Sequence, residues 1–158
     1  MDIRYWDSAA FLGWLKQEAD KVDECRVVLQ EAEAGRILLV TSALTLAEVI
    51  KLRRSPPIVK QHADLIKRFF ENSYIEVRDV NRYLAELARQ LVWDHAGLNP
   101  KDAIHVATAV HFGIRRLETF DDGLIGLDGQ ISSPPLRIGR PAIGQRSLDF
   151  TEDEDRDG

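Results

Sequence analysis

The chain has 158 residues, a formal net charge of −5 and a single cysteine. A chain of this length forms one domain that buries about 68–70% of its unfolded surface, so it needs neither disulfides nor zinc for stability. The one cysteine, Cys25, excludes an internal disulfide and a multi-cysteine metal site, and is typical of a reducing cytosol. No signal peptide is visible, and the aliphatic run Ile37 to Val40 is far shorter than the ~20 residues of a transmembrane helix. We therefore expect a cytoplasmic protein with no membrane contact.

The negative charge is concentrated at the C-terminus. Residues 149–158 contain six acids and one base, whereas residues 1–148 contain 20 acids and 20 bases. We expect a single domain over residues 1–140, followed by an acidic, disordered tail at 141–158. Residues 51–68 carry six bases against one acid, which indicates either a phosphate-facing surface or a solvated helix face.

Apolar runs alternate with amphipathic stretches along the chain. In chain order, the pattern predicts a strand at 3–6, helices at 9–15 and 20–35, a strand at 37–40, helices at 43–54 and 58–71, a strand at 74–77, helices at 79–96 and 99–111, and strands at 116–119 and 136–138. This alternation predicts a three-layer α/β/α sandwich with a central, twisted parallel sheet of four to five strands. Ligands of such sheets bind beyond the carboxyl ends of the strands.

The helix predicted at 99–111 has a strong start signal. Asn99 is a favourable N-cap residue, Pro100 stands at the first helical position, and Asp102 lies in the first turn. Small and branched apolar residues cover more than half of the helix, so we expect it to be buried. Asp102 would complement the helix dipole, but the same position also suits a ligand of a hard cation.

Three other acids occupy positions that a parallel sheet brings to the same edge. Asp7 follows the first predicted strand, Glu48 lies in the helix after the second, and Asp121 follows the fourth. Clustered carboxylates are expected to need a cation, and a set of oxygen ligands indicates Mg²⁺ or Mn²⁺ rather than zinc. The sequence contains no glycine-rich phosphate loop and no Gly-x-Ser-x-Gly nucleophile elbow.

Four short motifs occur in order along the chain: Tyr-Trp-Asp-Ser-Ala-Ala at 5–10, Ser-Ala-Leu-Thr-Leu-Ala-Glu-Val at 42–49, Asp-Ala-Ile-His-Val-Ala-Thr-Ala at 102–109 and Thr-Phe-Asp-Asp at 119–122. With these motifs the chain resembles the PIN-domain ribonucleases, and within them the VapC-like toxins of type II toxin–antitoxin systems. The resemblance runs from residue 3 to about residue 125, and the motif at 102–109 is its most specific part.

The resemblance implies a PIN-like fold with the first strand at the centre and a metal-dependent endoribonuclease activity. It implies a catalytic, metal-binding site for Mg²⁺ or Mn²⁺ formed by Asp7, Glu48, Asp102 and Asp121. Ser8, Thr119 and Asp122 would support it, and the Thr-x-Asp spacing favours Asp121 over Asp122 as the acid that faces the metal. RNA would be the substrate, contacted by Lys51, Arg53, Arg54 and Lys60. A homodimer and a cognate antitoxin are the implied partners.

Three further interpretations stay open. A PIN fold can also serve as an RNA-binding or protein-binding module without significant catalysis. His105 could act as a general base, although a hydrogen-bonded core or interface histidine is the more frequent role at such a position. For Trp6, Trp14 and Trp93, a place in the core or at a dimer interface is favoured over stacking on bases.

Overall fold

The computed structural model describes residues 1–50 and 56–143. The strands are β1 (Asp2–Trp6), β2 (Ile37–Ser42), β3 (Ile75–Arg78), β4 (Arg116–Glu118) and β5 (Arg137–Gly139). The helices are α1 (Ser8–Leu15), α2 (Val22–Glu33), α3 (Ala43–Glu48), α4 (Ala63–Phe70), α5 (Arg82–Asp94), α6 (Pro100–His111) and α7 (Asp122–Ile125), and a 3₁₀ turn, Lys60–His62, precedes α4. Within the described ranges, no helix has the length and apolar character that crossing a membrane requires.

All five strands are parallel and form one sheet in the order β3-β2-β1-β4-β5. The prediction of a parallel sheet with the first strand at its centre is confirmed. From β1 the chain adds β2 and β3 on one side, and it then crosses back to add β4 and β5 on the other. The order of the strands therefore reverses between β1 and β4, and ligands of open α/β sheets bind at such a switch point.

The two faces of the sheet bury two separate cores, which gives the predicted three layers. Tyr5 and Leu117 pack with residues of α5 and α6 in one core. Trp6, Leu39 and Ile75 pack with residues of α1, α2 and α4 in the other. Tyr5 and Trp6 are adjacent and both fully buried, because successive side chains of a strand point to opposite faces.

One predicted helix is much shorter than its apolar pattern suggested. The pattern predicted a helix over residues 43–54, but α3 ends at Glu48, and Val49 leaves the helical conformation with φ −76° and ψ 46°. Leu46 and Ile50 are about half exposed, so these apolar side chains have no core that could extend the helix. Residues 51–54 of the predicted helix lie outside the described residues.

Two large apolar side chains lie outside the core. Leu65 is 59% exposed, because α4 rests on Phe11 through Phe69 and Phe70. Trp93 is 71% exposed on the outer side of α5 and is not part of the core. Its alternative role at a dimer interface stays a prediction.

A buried ionic cluster ties the central strands together on the α1 side of the sheet. Glu118 of β4 is fully buried and accepts hydrogen bonds from Arg4 at 2.9 Å, Trp6 at 2.9 Å, Arg116 at 2.8 Å and the backbone N–H of Ala142 at 3.1 Å. A buried charge is tolerated only when it is paired and hydrogen-bonded, and Glu118 meets both conditions. The cluster connects β1, β4 and the chain that follows β5.

We expect Glu118→Ala to lower the free energy of unfolding by about 3–5 kcal/mol, because it removes the fully buried carboxylate that pairs with both Arg4 and Arg116. Urea unfolding followed by circular dichroism measures the loss. The matched control is Glu86→Ala, which breaks an exposed pair with Arg82 on α5 and should cost about 0.5 kcal/mol or less. Equal effects of the two substitutions would contradict the importance of the cluster.

Candidate active site

Asp7 lies at the carboxyl end of β1 and is the N-cap of α1. Its Oδ1 accepts from the backbone N–H of Ala10 at 3.0 Å, and its Oδ2 accepts from the hydroxyl of Thr119 at 2.6 Å. The residue is 3% exposed. Burial raises its pKa to about 6, and the charge of Asp102 adds to this rise, although the hydrogen bonds and nearby His105 oppose it. Asp7 is thus an acid held where ionisation is unfavourable unless positive charge is close.

Thr119 connects Asp7 to the turn after β4. The hydroxyl that donates to Asp7 also accepts from the backbone N–H of Asp121 at 3.0 Å. Asp121 caps α7 by accepting from the backbone N–H of Gly123 at 2.9 Å. Asp122 is exposed in the first turn of α7, whereas Asp121 is only partly exposed.

Asp102 lies in the first turn of α6, at the end of the helix that faces this region. Its carboxylate accepts from the side-chain amide of Asn99 at 2.8 Å, and its backbone N–H donates to Asn99 at 2.9 Å. Its pKa is raised by burial, then by the charge of Asp121 and, more weakly, by that of Glu48. The pKa of Asp102 therefore depends on the charges of Asp121 and Glu48, which are distant from it in the sequence.

Glu48 is the last residue of α3 and is held by side chains from two other helices. Its Oε1 accepts from Ser8 at 2.9 Å and lies 2.8 Å from Nε2 of His105. Burial opposes ionisation, but the two hydrogen bonds and the charges of His105 and Lys101 outweigh it, so the pKa of Glu48 lies below its usual value. Glu48 is therefore ionised at neutral pH.

The turn that carries Asp121 is anchored by Phe120. The ring of Phe120 packs against α1 at Gly13, where an added Cβ would lie only 2.9 Å from a ring carbon. The guanidinium of Arg140 lies 4.8 Å from the ring centroid, and the ammonium of Lys21 lies 5.6 Å from it. This packing fixes the backbone immediately before Asp121.

The donor chemistry of these acids fits a hard divalent cation, because every candidate ligand is a carboxylate oxygen. The charge of Asp102 raises the pKa of Asp7, and the charges of Asp121 and Glu48 raise the pKa of Asp102, an effect that a bound cation would reverse. In residues 1–50 and 56–143, however, no three His, Cys, Asp or Glu side chains already stand close enough to hold one metal ion together. Instead, each of the four carboxylates accepts hydrogen bonds from its own neighbouring protein groups.

The comparison with known families decides the class of the chain. The PIN domain family matches residues 4–129, which includes all four candidate acids. The chain belongs to the PIN-domain family. Among curated proteins, none matches it in sequence.

A solved structure supports the PIN fold independently. The chain is similar to VapC20 of Mycobacterium tuberculosis, which is described as a Sarcin-Ricin loop cleaving toxin. The TM-score is 0.60 at 18% sequence identity, and the similarity covers 75% of this chain and 89% of that one. At this identity the likeness establishes the fold.

The candidate basic residues of this PIN domain are only partly described. Lys60 is exposed in the 3₁₀ turn before α4, whereas Lys51, Arg53 and Arg54 lie outside the described residues. Lys101 was not among the residues predicted from the sequence, but it is exposed beside Asp102 and contributes positive charge at the site. Its position directly before Asp102, in the first turn of the predicted helix, is the sequence feature that could have identified it.

From the sequence alone, His105 could be either a general base or a hydrogen-bonded core or interface residue. The structure places His105 between Glu48 and Tyr5, with the hydroxyl of Tyr5 2.6 Å from Nδ1 of the imidazole. The histidine is 2% exposed. Its spacing of three residues from Asp102 was the available signal, because residues at that spacing share one helix face.

We expect the metal-free PIN domain to be stabilised by Asp7→Asn at neutral and alkaline pH. The pKa of Asp7 is raised from 3.8 to about 6 on folding, so the native state binds this proton more tightly than the unfolded state does. Stability from neutral Asp7 is present below about pH 4 and is lost as the pH rises through about 6, which amounts to about 3 kcal/mol. The isosteric amide avoids this loss.

Urea unfolding at pH 4 and pH 8 in EDTA measures this effect for the native protein, for Asp7→Asn and for a control, Asp122→Asn. The gain of Asp7→Asn should be larger at pH 8 than at pH 4, and the exposed control should show no such difference. A gain that does not depend on pH would show that Asp7 ionises normally.

Proposed function

We propose that this PIN domain is a metal-dependent endoribonuclease that hydrolyses RNA phosphodiester bonds, and that it acts as the toxin of a toxin–antitoxin pair. The observation that carries the proposal is a set of contacts among the acids: Thr119 joins Asp7 to the turn that carries Asp121, and Ser8, the residue after Asp7, holds Glu48. The pKa of Asp102, raised by burial and by the charges of Asp121 and Glu48, supports it. Acids from α3, α6 and the turn after β4 thus act on one another at the switch point of the sheet. Perturbed acids in such a position are typical of catalytic sites.

The residues that would hold Mg²⁺ or Mn²⁺ are Asp7, Glu48, Asp102 and Asp121. A cation bound there supplies two effects: it lowers the pKa of a bound water and neutralises charge on the scissile phosphate. The side chains around the acids have supporting roles that follow from their contacts. Thr119 orients Asp7. Ser8 holds Glu48.

Among the residues that the structure describes, the serine hydroxyl next to these acids is not free to act as a nucleophile. Ser8 is 4% exposed and its hydroxyl is engaged by Glu48. Water is therefore the proposed nucleophile. It forms a new P–O bond while the bond from phosphorus to the 3′-oxygen breaks, and the 3′-oxygen leaves with a proton, so the products carry a 5′-phosphate and a 3′-hydroxyl. The RNA 2′-hydroxyl has no part in this reaction, so no 2′,3′-cyclic phosphate should form.

The proposed partners follow from the family and from the charge distribution. RNA would be drawn to the site by Lys101, which is exposed beside Asp102, and by the basic residues Lys51, Arg53, Arg54 and Lys60. The similarity to VapC20, a toxin that cleaves the Sarcin-Ricin loop, supports a structured RNA as substrate. A homodimer and a cognate antitoxin complete the proposal, with the cytoplasm as the place of action.

We expect purified protein to cleave total cellular RNA with Mg²⁺ or Mn²⁺ and to lose this activity in EDTA. Asp102→Asn should lower the cleavage rate by about 100-fold or more, because it removes a proposed metal ligand. Asp94→Asn is the matched control, because Asp94 is an exposed acid on α5 with no role in the proposed site, and it should retain activity. Mapping of the product ends should show 5′-phosphates.

The outcomes separate the two candidate functions. Products with 2′,3′-cyclic phosphates would contradict hydrolysis by water. A folded, antitoxin-free protein that binds RNA but does not cut it with either metal would instead favour the RNA-binding module.

The basic residues give a separate expectation for RNA affinity. Replacing Lys51, Arg53, Arg54 and Lys60 together with alanine should weaken RNA binding and flatten its dependence on salt, since fewer counterions are released per complex. Filter binding at several salt concentrations measures the slope. Alanine replacement of Arg82 and Arg89, two exposed bases on α5, is the matched control. If the salt dependence of RNA affinity is unchanged in the fourfold variant, RNA binds to another surface of the protein.

A further inference from the structure

Glu48 has little support from its own helix. It is the last residue of α3, which has only six residues, and the chain leaves the helical conformation at Val49. Leu46 and Ile50, on either side of it, are 47% and 52% exposed. A side chain at the end of such a short and exposed helix needs other elements to fix its position.

Two side chains from other elements supply that support. Ser8 of α1 and His105 of α6 both contact Oε1 of Glu48, at 2.9 and 2.8 Å, and their own atoms lie 3.5 Å apart. Oε2 takes no part in these two contacts. The two contacts fix Oε1 of Glu48. They thereby also restrict the direction in which Oε2 points.

The imidazole of His105 is itself held in place. Nδ1 lies 2.6 Å from the hydroxyl of Tyr5, and the two rings meet edge-on with their centroids 5.7 Å apart. Tyr5 is fully buried in the central strand β1, and His105 is 2% exposed. A chain of hydrogen bonds therefore runs from the centre of the sheet through His105 to Glu48.

We propose that His105 is a positioning residue, whose imidazole is held by Tyr5 and in turn fixes the carboxylate of Glu48 at the acidic site. The inference rests on the proposed metal site, to which Glu48 belongs. It requires that Nε2 carries a hydrogen, because a carboxylate can only accept. The hydroxyl of Tyr5 completes the pairing at Nδ1 and thereby sets the plane of the ring.

This arrangement argues against a role for His105 as the general base. Both ring nitrogens are engaged within the protein, by Tyr5 and Glu48, and almost no surface of the ring reaches water. A general base must reach the proton that it removes, directly or through one water. His105 therefore acts through Glu48 and not on the substrate.

The experiment compares two substitutions that differ in one hydrogen bond. The side-chain amide of glutamine can replace the Nε2–H of histidine, so His105→Gln keeps a donor for Glu48, whereas His105→Leu has none. The concentration of Mn²⁺ that gives half-maximal binding, measured by calorimetry on the full chain, should rise about 10-fold or more for His105→Leu. For His105→Gln it should stay within about threefold of the native value, and Tyr5→Phe should be intermediate.

Cleavage rates over a range of Mn²⁺ concentrations provide a second measurement. If His105 only positions Glu48, saturating Mn²⁺ should restore most of the rate of His105→Leu, and the KM for RNA should not change. His111→Leu, at the exposed end of the same helix, is the matched control and should behave like the native protein. Nitrogen NMR of labelled histidine should show a hydrogen on Nε2 of His105.

Each outcome decides the inference. A native Mn²⁺ affinity in His105→Leu, an equal loss in His105→Gln and His105→Leu, or an Nδ1–H tautomer of His105 would overturn it while leaving the nuclease proposal intact. Mn²⁺ binding that weakens in His105→Leu, in a native protein that cuts no RNA, would support the positioning role and refute the nuclease. Absence of Mn²⁺ binding by the native protein would overturn both.

Discussion

The hydrogen bond from Thr119 to Asp7 joins the carboxyl ends of β1 and β4, the two strands between which the strand order reverses. β1 and β4 pair through Tyr5 with Leu117 and through Trp6 with Glu118, so the next residue of each strand falls side by side at the edge. The hydroxyl of Thr119 then donates to Asp7 and accepts from the backbone that follows it. One side chain thus sets the position of Asp7 and the start of the turn that carries the next acid.

Buried carboxylates have two different environments in this fold. Glu118 is surrounded by four donors, three of them cationic or indole N–H groups and one a backbone N–H, and it serves to hold the sheet together. Asp7, one position beyond the end of β1, receives only a hydroxyl and a backbone N–H, and its pKa is raised by burial. The difference in donors explains why Glu118 stabilises the sheet whereas Asp7 is suited to bind positive charge. Functional sites that hold a group such as Asp7 commonly lower the stability of the fold.

The sequence was sufficient to predict the order of strands and helices, the parallel sheet and the helix start at Asn99, because these depend on local periodicity and capping. It could not predict that α3 ends at Glu48, since that depends on whether Leu46 and Ile50 find a core to cover them. It also could not place His105, because both of its partners come from distant parts of the chain. The candidate metal ligands stay a prediction, as does the boundary of the acidic tail.

Because Phe120 approaches Gly13 closely, the residue sizes that positions 13 and 120 can accommodate depend on each other. Any side chain at position 13 would press on a ring that stands immediately before Asp121. Related sequences that carry alanine or a larger residue on this face of α1 should therefore carry a smaller residue than phenylalanine before the acid. The shape of a helix on one side of the sheet thus limits how the acidic edge can evolve.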